Sequence, residues 1–512
     1  MRTRTRNRRA FWATIALAAL VACQTGGSGP PQVLSFTADP TALVAGGSST
    51  LRWLVTGATT IVVAPGVGDV SGTNSTVVTP PTTTTYTLTA TGSGGSATAD
   101  VTVAVDTSVD VAGHVLGLDG RPAPGVLVDV LGVGGTTSGF DGGFAIAGVE
   151  PPYTIHVRHP SEPLAVTYVG LTVPDPVLIV SGTPTGAPHS VHFTGTVSGG
   201  TNFPQPMGAV TRTTLASSAV RRTVDADGTT GGFRIPLATA NPPSLTWHGA
   251  DVPAALHALQ WFVGANGLPA DYVGHGVRLF DLKGAIIAYL AQDMAMLNVT
   301  EGNVTGTTTV PAGYTLGLRT LDVLYEEGGW VVPALETFPA PTFDYLTPEV
   351  PGVTIAIEAL AAAPGGELSY AVRSGLPTTS SGVQLELPEV PSLLAPPDGE
   401  ANVGYGTPFS WTAPGGGVSV VLIAGPPGSV GHAIVTDDVA TTIPDLRPFA
   451  VDLVPAGAYT WQVVHLPRYA DVDASVHDAD GLLSSWPLNA FFLPQRDGAW
   501  ANSLQRGFTT TP

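Results

Sequence analysis

Residues 82–103 read TTTTYTLTATGSGGSATADVTV, and this stretch decides the fold class. Tyr86, Leu88 and Ala90 alternate with Thr85, Thr87 and Thr89, the period of two expected of a strand buried on one face. Ala97, Ala99, Val101, Val103 and, just beyond, Val105 repeat that period opposite Thr98, Asp100, Thr102 and Ala104. Between the two runs, Thr91-Gly-Ser-Gly-Gly-Ser96 supplies glycines for a tight turn, so the segment reads as a β-hairpin. Upstream, Trp53 in Leu51-Arg-Trp-Leu-Val55 is placed to fill the core of the same small sheet structure.

The rest of the chain has the composition this hairpin predicts. Gly (63) and Pro (46) exceed a fifth of the 512 residues, and only 12% are charged. Many short strands joined by tight turns fit that mixture. With 43% hydrophobic residues and nine tryptophans, there is ample apolar surface to offset the entropy of ordering, which argues against a disordered chain. At about 100–150 residues per domain the length predicts four or five modules. The expected architecture is therefore all-β: a tandem array of about four to five β-sandwich domains.

The first 22 residues carry a basic start (Arg2, Arg4, Arg6, Arg8, Arg9) and then an apolar stretch, the pattern of a signal peptide. It ends in Leu20-Val21-Ala22-Cys23, which resembles the bacterial lipobox. That resemblance implies lipidation of Cys23, cleavage before it and acylation of the new N-terminus, and Gln24 suits sorting to the outer membrane. Cys23 is the chain's one cysteine, so no disulfide forms within the chain, and a lone thiol at the cleavage point favours this reading over an ordinary secretory signal. Each buried CH₂ of a lipid contributes about 0.8 kcal/mol, so several acyl chains would hold the protein on a membrane. The best later apolar run, residues 285–291, is too short to span a bilayer. The expected location is that of an exported bacterial lipoprotein on the periplasmic or the cell-surface face of the outer membrane.

The chain's net charge is −19, and without the five leader arginines 15 basic residues face 39 acids, about −24. Nucleic acid is an unsuitable partner for such a surface. Residues 23–30 read as a lipidated tether. Residues 31–106, in the order SFTADP, STLRWLVTGAT and the hairpin above, resemble bacterial immunoglobulin-like domains, with Trp53 and Tyr86 at the family's core positions. Residues 107–188 contain Ala112-Gly-His-Val115, Asp119-Gly-Arg-Pro-Ala-Pro-Gly-Val126 and Phe140-Asp-Gly-Gly-Phe144, and resemble the carboxypeptidase regulatory-like, transthyretin-like module. That family is the non-catalytic partner of a peptidase. Residues 189–299 and 300–390 echo this pattern at Phe193-Thr-Gly-Thr-Val197 and Asn303-Val-Thr-Gly-Thr307 and read as two divergent sandwiches. Residues 281–298 also fit a helix by their apolar spacing, although strands are the preferred reading. Residues 391–512, with Pro408-Phe-Ser-Trp411 and the run Leu453-Val-Pro-Ala-Gly-Ala-Tyr-Thr-Trp-Gln-Val463, resemble a fibronectin type III-like domain.

Catalytic motifs are missing from the sequence. No His is followed by Glu, no Ser sits in a Gly-x-Ser-x-Gly elbow, and the one lysine, Lys283, does not follow Gly as a phosphate-binding loop requires. Spatially paired carboxylates leave no such signature. Asp471, Asp473, Asp478 and Asp480 offer hard oxygen donors for a calcium ion, but their spacing lacks the EF-hand order and the preferred reading is a solvated polar loop. Trp53, Trp411 and Trp461 lie in apolar alternation and read as core. Trp247, Trp330, Trp486 and Trp500 sit beside Pro, Gly or polar residues and are the candidates for an exposed ring that stacks on a sugar, Trp247 and Trp330 foremost, with His248 and His275 as companions. No cofactor is expected, and the leading expectation is a non-enzymatic envelope or surface lipoprotein that presents its modules for adhesion or protein interaction. Carbohydrate or polysaccharide binding is the alternative.

Overall fold

The computed structural model describes residues 29–117, 120–180, 188–201, 203–217, 221–240, 244–248, 250–449, 451–478 and 497–511. Residues 1–28, which include Cys23, and Asp480 and Trp486 lie outside them. The chain is all-β, tandem β-sandwiches, divided into two compact units at Thr107 and Ser108.

In the first unit the strands Thr84–Gly92 and Gly95–Asp106 pair in the expected hairpin register, Tyr86 opposite Val101 and Gly92 opposite Gly95. They belong to a five-stranded sheet that faces a three-stranded one made of Gln32–Asp39, Ser49–Thr56 and Ser75–Val78. Tyr86, Leu88 and Ala90 point inward onto Leu51 and Trp53, whose indole N–H donates to the Thr73 carbonyl at 3.1 Å. The threonines between them remain outside, so local alternation suffices to build this sandwich.

The second unit, residues 108–512, contains four sandwiches that are not independent beads. A fourteen-stranded sheet runs through three of them. From one edge it contains Gly134–Thr137, Leu127–Val130, Tyr153–Arg158 and Leu164–Leu171, then Gly431–Thr436, Val418–Ala424 and Ala458–Leu466, then Gly498–Asn502, Leu368–Leu376, Val353–Ala362, Thr315–Tyr325 and Trp330–Thr337, with two short strands appended. The first junction is the parallel pair Leu164–Leu171 and Gly431–Thr436, with Val166 opposite Ala433. The second is Gly498–Asn502, which pairs with Ala458–Leu466 on one side and Leu368–Leu376 on the other. Three small three-stranded sheets pack on this large one, each closing a sandwich. The remaining sandwich, formed from residues 188–296, has its own five-stranded and four-stranded sheets. Residues 281–298 contribute the end of the strand Pro269–Leu282 and the short strands Ala288–Tyr289 and Met294–Met296, so the helical alternative does not hold there.

Sharing a sheet changes what its strands must be made of. Val418, Val420, Ala433 and Val435 pack with Val166 and Tyr168 on one face, while Val421, Ile423 and Ile434 pack with Phe409, Trp411 and Trp461 on the other. These strands are apolar on both faces, as strands of fully covered sheets are.

The first junction also encloses two imidazoles. His432, opposite Ala165 in the parallel pair, is 2% exposed and neither ring nitrogen has a hydrogen-bond partner among the described residues. Nearby His156 meets the Thr167 hydroxyl at 2.9 Å and the ring of Phe449. Burial pushes both down to about 4 from the ordinary 6.5, with His156 adding to the shift of His432. The folded state therefore binds fewer protons than the unfolded chain between those values, and stability is complete above about pH 6.5 and declines as pH falls toward 4. Urea unfolding should show this as a lower midpoint at pH 5 than at pH 7.5, at most about 1.4 kcal/mol per pH unit for each ring. The variant His432→Leu should flatten that dependence, and an unchanged slope would contradict the assignment.

Candidate functional site

The sandwich of residues 188–296 meets its neighbour through the hairpin that joins Thr315–Tyr325 to Trp330–Thr337. Tyr325 receives a hydrogen bond from Gly328 and donates its own N–H to Gly329, which makes the turn tight. The turn lies flat on the outer face of the four-stranded sheet. A Cβ on Gly329 would sit 2.6 Å from that of Ala216, so only glycine permits this approach. Ala216, Leu259 and Trp261 from that face share one buried cluster with Val304, Val323 and Tyr325 of the neighbour.

Polar groups line the same seam. The His257 ring stacks on Tyr325 at 3.8 Å, while its Nε2 lies 3.0 Å from Glu327 and its Nδ1 3.2 Å from His275 Nε2. The hydrogen bond from His257 holds the Glu327 carboxyl below the usual carboxylate range, and burial, aided by His257, pushes His275 down to about 4. A chain from His275 Nε2–H to His257 Nδ1, and from His257 Nε2–H to Glu327, satisfies all three groups. Among the described residues no three His, Cys, Asp or Glu side chains are grouped to hold a metal.

Beside this seam a cavity of about 850 Å³ opens over the strands Ala209–Ser217 and Arg222–Asp225, with Trp330 and Val332 as one wall. Arg212 is committed to structure: its Nε lies 2.6 Å from Asp225, its Nη1 donates to the Val332 carbonyl at 3.0 Å, and it covers Trp261. Thr223 fixes Trp330 through a 3.1 Å hydrogen bond to its carbonyl. The Arg221 guanidinium lies 5.5 Å over the Trp330 ring, and its enclosed Nη1 has no hydrogen-bond partner among the described residues. Burial lowers the pKa of Arg221.

Of the residues singled out by sequence, Trp330 and His275 come to this region and Trp247 does not. Trp247 is 2% exposed in the core of its sandwich, its ring 4.8 Å from that of His189, so it cannot stack on a ligand from solvent. The alternation of Leu245 and Trp247 with exposed Thr246 explains why: the ring sits on the inward face of the strand Leu245–His248. Trp500 is half-buried and stacks on Tyr370. The acidic segment is corrected from a polar loop to the helical turn Val472–His477, in which Val472 and Val476 are buried four residues apart. Its acids point to separate donors. Asp471 caps the turn by accepting from the Ala474 N–H at 2.7 Å, Asp473 accepts from the N–H and hydroxyl of Thr172, and Asp478 pairs with Arg468 at 2.6 Å.

A buried carboxyl pair that no motif marks, Asp322 and Glu358, lies on the adjacent strands Thr315–Tyr325 and Val353–Ala362. Asp322 accepts from the Thr320 hydroxyl at 2.7 Å. Burial and then the neighbouring Glu358 push Asp322 well up, and burial pushes Glu358 to about 7. A void of about 10 Å³, the size of one water, lies beside Glu358 and Tyr370.

No family model matches the chain, and no curated protein does. Among solved structures, the Bacillus anthracis TIE protein is similar at 11% identity and a TM-score of 0.20, over 71% of this chain and 75% of that one. Immunoglobulin domains 1–5 of Sidekick-1 align at 9% identity and 0.16, over 94% and 98%. The major pilin subunit of Bacillus cereus, BcpA, aligns at 8% and 0.14, over 55% and 99%. Superpositions this loose leave the question of function to the chain's own residues.

Because Glu358 is held near 7 in the fold against 4.5 when free, the folded state binds more protons there, and the associated stability is present at low pH and lost as pH rises through 7. Glu358→Gln should therefore gain on the wild type between pH 5 and pH 8, on the order of 1–2 kcal/mol in urea unfolding. An equal difference at both pH values would contradict the raised pKa.

Proposed function

We propose that this chain is a non-catalytic lipoprotein, exported and held at the bacterial outer membrane through Cys23, that presents its sandwiches for adhesion or protein interaction. The observation that carries this reading is the fourteen-stranded sheet that ties three sandwiches into one framework. A scaffold of this kind suits the display of a surface in fixed geometry. Support comes also from a cavity of about 850 Å³ lined by a tryptophan and three arginines, a surface suited to holding a partner. The lipid is the complementary element, since several acyl chains would make dissociation from the membrane negligible. Saccharide binding is the second reading, favoured by the half-buried indole of Trp330 in the wall of that cavity, with the Arg221 guanidinium over its ring.

Fractionation with protease shaving of intact cells tests the leading reading. Wild-type protein should partition with membranes and be cleaved from intact cells, whereas Cys23→Ala should move to the soluble fractions. A Cys23→Ala chain that fractionates like wild type would remove the lipid anchor, and a membrane-bound chain protected from protease would place the scaffold on the periplasmic face.

A further inference from the structure

The cavity beside Trp330 has a charge opposite to that of the molecule around it. The protein carries 39 acids against 20 basic residues, yet three of its arginines line this one cavity with a single acid, Asp225. Arg212 consumes that acid. Arg221 and Arg222 then face the cavity with no carboxylate paired to either among the described residues. The contrast with Arg319, a fully buried guanidinium, is informative. Arg319 is fully buried and its nitrogens are all engaged, Nε with the Tyr345 hydroxyl at 2.8 Å, Nη1 with the Ala340 carbonyl at 2.8 Å and Nη2 with Glu336 at 2.9 Å. Arg319 is a finished structural cation. Arg221 leaves its enclosed Nη1 without an acceptor among the described residues, while its side chain lines the cavity without a carboxylate partner.

The remaining lining decides which anion. Trp330 is fixed in place by Thr223 and lies under the Arg221 guanidinium, and Val224, Leu237 and Val332 add apolar surface. A bare phosphate ion gains nothing from such walls, but the C–H faces of a pyranose ring do. The volume, about 850 Å³, lies in the range of pockets for small organic ligands. A guanidinium fork matches a carboxylate in a planar, two-point contact. We infer that this cavity binds a uronate residue of an acidic saccharide, its ring against Trp330 and its carboxylate on Arg221 and Arg222. The inference rests on the saccharide reading above and narrows it to a charged sugar.

Calorimetric titration of the purified full chain with trigalacturonate, with the neutral galactose trisaccharide of the same length and with inorganic phosphate tests it. Trigalacturonate should bind, and the neutral sugar should bind about tenfold more weakly or worse, the effect of one charge-assisted contact. Raising the salt concentration should weaken only the charged ligand. Arg221→Gln and Arg222→Gln should each cost about tenfold in affinity for trigalacturonate, and Arg222→Lys should restore part of it. Thermal midpoints confirm that the variants are folded, and exposed Arg222 is the safer position. If both trisaccharides bind equally and the arginine variants are silent, the charge selectivity is wrong while the saccharide reading stands. If neither sugar binds a folded chain, both fall. Phosphate binding as tight as trigalacturonate, lost in the same variants, would overturn the uronate in favour of a phosphate site.

Discussion

The parallel pairing of Leu164–Leu171 with Gly431–Thr436 is the constraint on which the larger unit depends. It joins segments more than 260 residues apart and makes two sandwiches share one sheet, so neither can shift its register alone. A one-residue slip would turn Val166, Ala433 and Val435 out of one core and His432 and Ile434 out of the opposite side. Register is therefore specified twice, once by each face. The strand Gly498–Asn502 extends the same logic to a third sandwich by filling the gap between Ala458–Leu466 and Leu368–Leu376.

The fourth sandwich is held differently. Among the described residues no strand links it to the large sheet, and the Tyr325–Trp330 turn instead packs on its outer face, with Gly329 against Ala216 and a His275–His257–Glu327 chain filling the seam. Such a seam combines apolar burial with polar groups that must be matched one by one. The cavity at its margin follows from that geometry, since two convex bodies in contact leave a cleft where they part. Trp330 and the arginines occupy that cleft, so any ligand there would touch both sandwiches. A ligand bound there would be linked to the seam through Arg212, which covers Trp261 and donates to the Val332 carbonyl.

The sequence made the class of fold legible, and it made the first sandwich legible nearly residue by residue. Tyr86, Leu88 and Ala90 alternate because one of their faces meets solvent. In the second unit the same rule fails for a physical reason. Val418-Ser-Val-Val-Leu-Ile423 is apolar without alternation because both faces are covered, and a period-two reading catches only half of it. Such a run states that a strand is enclosed and does not name the strand beside it, so the shared sheet was beyond reach. The site was legible in part. Trp330, next to Gly329, stood out, whereas Arg221-Arg222 did not, although an adjacent arginine pair is conspicuous in a chain with only 20 basic residues. Trp247 misled because neighbouring prolines suggested a loop, and the acids at 471–478, read as a polar loop, lie instead about a single helical turn, too short for its buried Val472 and Val476 to register as a periodic pattern.

The central claim is that residues 108–512 behave as one cooperative body because their sandwiches share strands and a seam. Hydrogen exchange with mass spectrometry along a urea gradient tests this most directly, since it follows peptides from every sandwich in the intact chain. The account predicts that Leu164–Leu171, Val252–Val263, Val353–Ala362 and Val418–Ala424 lose protection at a common midpoint. Separate midpoints, one for each sandwich, would contradict it and return the chain to a string of independent modules.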